Sequence, residues 1–124
     1  MNQTHIDALN ELSKAAYDNA KAKGFHDKDG DLVADYARWT ANLHGEVSEL
    51  WEAARKDHLL EWCDKAQFME DQFEYSLTCE EEELADIIIR VLDTAGARGV
   101  NIGRAVQVKM AYNATRPHMH GKLA

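Results

Sequence analysis

TCEEEELADIIIRVLDTAGAR, residues 78–98, decides the fold. Thr78 with Glu81 three residues on is the reciprocal pair of a capping box, so a helix opens there. Glu80 to Glu82 complement the positive end of its dipole. Beyond that turn Leu84, Ile87, Ile88, Val91, Leu92 and Ala95 span well over half of the circumference at ~100° per residue. Glu83, Asp86, Arg90 and Asp93 share the remaining polar strip. A helix so widely apolar must be covered on more than one side. A chain of 124 residues has few elements to cover it, so a homo-oligomeric helical bundle is expected.

Working outward, Gly96 and Gly99 end this helix, and another runs from about Ile102 to Thr115 before Pro117 forbids continuation. Upstream, helical periodicity covers roughly Leu32 to Lys56 and Thr4 to Lys23. From Asp57 to Leu77 the pattern weakens to one short helix around Asp64 to Tyr75. No stretch alternates like a strand, so the fold class is all-α, with residues 1–124 as a single domain. GFHDKDGD, Gly24 to Asp31, reads as a solvated turn. Its acids imitate a calcium loop, but the twelfth position counted from Asp27 is Arg38 where the bidentate Glu is required.

The formal net charge is −8 and the pI about 5.1, which argues against a surface built for a nucleic-acid polymer. No run approaches the ~18 apolar residues of a membrane span, and the start, MNQTHIDALNE, is too polar and acidic for a signal peptide. A cytoplasmic protein with a small-molecule partner is expected. Cys63 and Cys79 read as isolated thiols rather than a disulfide or zinc pair.

Two carboxylate pairs stand at helical spacing, Glu46 with Glu49 and Glu83 with Asp86, each at the margin of an apolar face. On the wheel Trp39 and Leu50 fall within ~40° of Glu46. An ionised carboxylate bordering a buried face is costly unless paired or bound to a cation. Two explanations stand: a salt bridge to a neighbouring helix, or a site for a hard divalent cation such as Mg²⁺. Further on, Lys109, Asn113 and Arg116 follow at i, i+4 and i+7, so one face offers a cation, an amide and a guanidinium. That set suits a phosphate chain or, more plainly, the negative end of the helix dipole. The H-x-H of His118 and His120 is weak evidence for a transition metal.

The constellation E-x-x-E, E-x-x-D and K-x-x-x-N-x-x-R, carried by HGEVSELWEAAR, EWCDKA, EEELADIIIRVLDTAGARG and KMAYNATRPHMHGK, resembles the MazG-like nucleotide pyrophosphohydrolases, an all-α group. The resemblance covers about residues 43–122. It implies a four-helix-bundle-like fold assembled as a homodimer or homotetramer. It also implies hydrolysis of a nucleoside triphosphate, with deoxynucleotides favoured, to the monophosphate and pyrophosphate. Mg²⁺ would be required, with Mn²⁺ able to substitute. Carried over position by position, the metal ligands fall on Glu46, Glu49, Glu83 and Asp86, and the phosphate contacts on Lys109 and Arg116, with Asn113 between them. Asp93 stands near where relatives carry an acid or amide beside the metals. Glu49, ahead of Glu46, is the candidate to orient or deprotonate the attacking water. Trp39 and Asn42 lie on the same side as the acids, so one could stack on a base and the other read its edge, although Trp39 reads better as a core residue. A di-iron oxidase would need Glu-x-x-His motifs, and the third residue after Glu46 and Glu83 is an acid in both cases. A nucleotide sensor or helical adaptor that keeps the fold without turnover is the remaining alternative.

Overall fold

The computed structural model describes residues 1–122, with the backbone alone at His120. Five α-helices follow in order: α1 (Gln3–Ala22), α2 (Leu32–Arg55), α3 (Ala66–Phe73), α4 (Cys79–Arg98) and α5 (Ile102–Ala114), then a 3-10 turn at His118–Gly121. No helix among the described residues is long and apolar enough to cross a membrane. The chain divides into two compact units, residues 25–91 and the two flanking segments 1–24 and 92–124.

Within residues 25–91 the local chemistry sets each boundary. Asp31 caps α2 by accepting from the Ala34 amide at 3.2 Å. At its other end Asp57 takes the left-handed conformation, φ 60°. The Asp57 and His58 amides bond back to Ala54 and Ala53, which satisfies the final carbonyls. Residues 61–63 then pair with 77–79: Cys63 N donates to Leu77 O at 3.0 Å and Cys79 N to Glu61 O at 2.8 Å, around an isolated antiparallel bridge between Trp62 and Thr78. This clip closes the loop that carries α3 at the start of α4, and Cys63 and Ala66 beside it are buried.

Helix α4 opens with the expected capping box. The Glu81 amide donates to Thr78 Oγ1 at 3.2 Å, and the Thr78 amide to Glu81 Oε1 at 3.0 Å. Thr78→Ala should cost about 1 kcal/mol in urea unfolding, the usual worth of an N-cap hydroxyl, with Thr78→Ser close to neutral. A silent Thr78→Ala would show that the clip alone holds the helix start.

In the flanking unit α1 packs on α5, with Ile6, Leu92 and Ala95 buried. Two glycines permit close backbone approach. A Cβ on Gly96 would lie 2.6 Å from Tyr17 Cβ and 2.8 Å from Ser13 O, and one on Gly103 would collide with the Ile6 main chain. Gly96 therefore does not end α4, as its sequence position suggests; it lies inside the helix as a packing residue. Gly99 alone provides the stop, at φ 67°. Asn10 ties α1 to the next helix start: its Oδ1 accepts from the Gly103 amide at 2.9 Å, and its Nδ2 donates at 2.9 Å to Asn101, the N-cap of α5.

Candidate functional site

Helices α2 and α4 bring three of the four expected acids together. One carboxylate oxygen from each of Glu46, Glu49 and Glu83 lies within 4.8 Å of the other two. Glu46 and Glu83 are half-buried and Glu49 is exposed. Asp86, one turn beyond Glu83, stands outside that trio, yet its charge reaches Glu46 and acts with that of Glu49 to push the Glu46 carboxyl upward.

The balance of charge at this point is uneven. Arg90 supplies one counter-ion, its Nε and Nη2 each 3.2 Å from Glu46 Oε1. Lys65 supplies another, bonded to Glu82 Oε1 at 2.5 Å and to Asp64 Oδ1 at 2.8 Å. The plain salt-bridge explanation therefore holds for one oxygen of Glu46. It does not hold for Glu83, whose Oε2 is buried with no hydrogen-bond partner. Burial, the neighbouring Glu49 charge and a hydrogen bond shared with Glu49 push the Glu83 carboxyl up to about 7. Burial, and after it Glu82, raises Asp86. In Glu46, burial outweighs the Arg90 hydrogen bond and the net shift is upward. Half-buried carboxylates that repel one another in this way fit a hard divalent cation, which would satisfy the orphaned oxygen and relieve the repulsion. Ligands of this kind, all oxygen, suit Mg²⁺ or Mn²⁺ rather than a soft metal.

A cavity of about 400 Å³ adjoins the acids, lined by Ser48, Glu49, Lys56, His58, Cys79 and Glu83 among others. Burial, aided by the Glu61 charge, raises the Cys79 thiol, so it is not poised as a thiolate ligand. Trp39 is half-buried, with edge contacts to Tyr36 at 5.2 Å and His26 at 5.7 Å. Its Nε1 is buried without an acceptor, whereas Asn42 is exposed.

The other expected residues lie in the flanking unit. Lys109 and Arg116 converge on Tyr112, with Nζ 4.7 Å and Cζ 5.6 Å from the ring centroid. Asn113 Oδ1 is buried with no partner; rotating the amide by half a turn would present its NH₂ donors instead. Asp93 is buried, two turns beyond Asp86 on α4. The His120 side chain of the H-x-H pair lies outside the described residues.

The segment expected to be a solvated turn is a turn, exposed throughout except at His26, and it bonds to the side of α2. His26 is buried and its Nδ1 lies 2.6 Å from Asp29 Oδ2. Arg38 bonds Asp29 at 3.0 Å and the buried Asp35 at 2.7 Å. Burial acts to raise Asp35, but the Gly30 amide and Arg38 outweigh it and hold the carboxyl below its ordinary value. Phe25, beside this network, lays its ring against Arg90 at 5.1 Å. A trace was present in the sequence: Asp35 and Arg38 stand at helical spacing just after an acid-rich loop. No family model matches the chain, and neither a curated protein nor a solved structure does.

The raised Glu83 fixes the sign of a pH effect. Its protonated form is favoured in the folded protein relative to the ordinary glutamate value of 4.5. That contribution is therefore complete below pH 4.5 and lost as pH rises through about 7. In EDTA the melting temperature should fall from pH 5 to pH 8, and Glu83→Gln should flatten the slope. A difference between wild type and Glu83→Gln that does not change with pH would contradict the shift.

Proposed function

We propose that the protein is a Mg²⁺-dependent nucleoside triphosphate pyrophosphohydrolase of the MazG-like type, cleaving a deoxynucleoside triphosphate to the monophosphate and pyrophosphate. The observation that carries this is the convergence of Glu46, Glu49 and Glu83 around too little positive charge, with Glu83 Oε2 buried and unpartnered. The sequence resemblance supplies the reaction class, since an acidic cluster alone specifies none.

Glu46, Glu49 and Glu83 would hold the cation, with Asp86 as a fourth ligand. Such a cation would supply charge neutralisation for the substrate phosphates and a more acidic water. The chain's own residues do the rest. Glu49, the exposed member of the trio, orients the water and accepts its proton. Lys109, Asn113 and Arg116 are proposed as the phosphate contacts, taking charge that builds on the leaving pyrophosphate. Trp39 Nε1, a buried donor lacking an acceptor, suits the edge or face of a base.

A homodimer or homotetramer is part of this proposal. Along α4, Leu84, Ile88 and Ile89 remain 46%, 56% and 48% exposed, a row that a second copy would cover.

Binding separates this function from a metal-independent module. A deoxynucleoside triphosphate carrying an imido bridge between its α and β phosphorus should bind with Mg²⁺ and not with EDTA, because an acidic cluster with too little countercharge repels its phosphates. Equal binding in EDTA, or none with either, contradicts the proposal.

A further inference from the structure

We infer that Arg90, clamped by Phe25, is the positioning residue that orients Glu46 for cation binding. The inference rests on the proposed metal site and concerns residues to which neither the sequence pattern nor the resemblance gives a role.

Three separate segments meet here. Arg90 stands one turn beyond Asp86 on α4, Glu46 lies on α2, and Phe25 comes from the turn after α1. The Arg90 side chain is 27% exposed and that of Glu46 14%, so the pair is largely shielded from water and its geometry is restrained. Both Arg90 nitrogens meet the same oxygen, Oε1, at 3.2 Å. Both contacts fall on Oε1, so Arg90 holds that oxygen in place while no Arg90 hydrogen bond occupies Oε2, which stays open to a cation. Hydrogen bonds from the protein to a ligating carboxylate act in this way, and removing them weakens metal binding without removing a ligand.

Phe25 supplies the other half of the clamp. Its ring lies 5.1 Å from Arg90 Cζ, within the range of a cation–π contact. Phe25 is 53% exposed, so one side of its ring faces solvent. The buried His26, next in sequence, bonds Asp29 within the same turn, which ties down the segment that carries Phe25. The turn therefore governs the metal site from a distance, through Phe25, Arg90 and Glu46 in sequence.

The test is Mn²⁺ binding to the metal-free full-length chain, read from the free-ion electron paramagnetic resonance signal, for wild type, Arg90→Met, Arg90→Lys, Phe25→Leu and Glu83→Gln. Melting temperatures in EDTA are measured alongside. Arg90→Met should weaken Mn²⁺ binding by about 10- to 100-fold, with Arg90→Lys intermediate because an ammonium keeps the charge but not the paired contacts on Oε1. Phe25→Leu should weaken it less, and should add nothing once Arg90 is Met. If Arg90→Met fails to fold, Arg90→Lys and Phe25→Leu carry the same prediction. Wild-type or tighter affinity in the Arg90 variants, while Glu83→Gln loses binding, would show that Arg90 is only a countercharge and would overturn the inference alone. No Mn²⁺ binding by the wild type would overturn the metal site and the inference together.

Discussion

Glu83→Gln should lower Mg²⁺-dependent hydrolysis of a deoxynucleoside triphosphate by at least about 100-fold, the lower range for losing one preorganised group at a reacting centre. The fold should persist. Glutamine keeps the size of the side chain and removes a charge whose ionisation burial and Glu49 already oppose, so the metal-free variant should melt at or above the wild-type temperature at pH 8. Loss of turnover without loss of stability is the signature of a residue held for function at the expense of the fold. Glu46→Gln should also abolish turnover, with a larger structural penalty, because it weakens the Arg90 ion pair. Full activity in either variant would dismiss the site. Stepwise assay of the two separates a ligand from a salt-bridge partner, since only the former predicts loss in Glu83→Gln.

Gly103→Ala is the substitution expected to damage the fold most. A Cβ there meets the Ile6 main chain, and backbone cannot swing aside as a flexible side chain would. Forced overpacking costs about 1–3 kcal/mol, which for a chain of this size lowers the melting temperature by roughly 4 °C per kcal/mol. The Asn10 bond to the Gly103 amide would be strained in the same movement. Thermal unfolding by circular dichroism checks it. An unchanged midpoint would mean that α1 and α5 separate at no cost and that Ile6 is not fixed there.

The helices were legible where one residue's chemistry is enough. Thr78 and Glu81 announce the start of α4, and the structure has both bonds of the box. Pro117 and Gly99 mark stops that the backbone obeys. Gly96 misled because a glycine near a helix end reads as a terminator, whereas here it admits Tyr17 and Ser13. Only the partner helix reveals that purpose.

The candidate site divides along the same line. Helical spacing put Glu46 and Glu49 on one face and Glu83 on another, and the structure joins these three. It leaves Asp86 outside the closest group. A helical wheel gives the direction of a side chain but not what it meets, so the Arg90 bond to Glu46 and the Phe25 ring on Arg90 could not be read from spacing. The turn from Gly24 to Asp31 is solvated, as its polar composition suggests, except at His26. Its His26 is buried because Asp29 satisfies the ring, and Arg38 ties the same acid to Asp35. Pairwise satisfaction of that sort leaves no periodic trace in a sequence.

The most direct measurement is the product analysis of the purified wild-type chain incubated with each canonical deoxynucleoside triphosphate, in Mg²⁺ and in EDTA, with products separated by anion exchange. Monophosphate and pyrophosphate in equal amounts, formed with Mg²⁺ and absent in EDTA, are the predicted result. Diphosphate with phosphate, or hydrolysis that continues in EDTA, would contradict it.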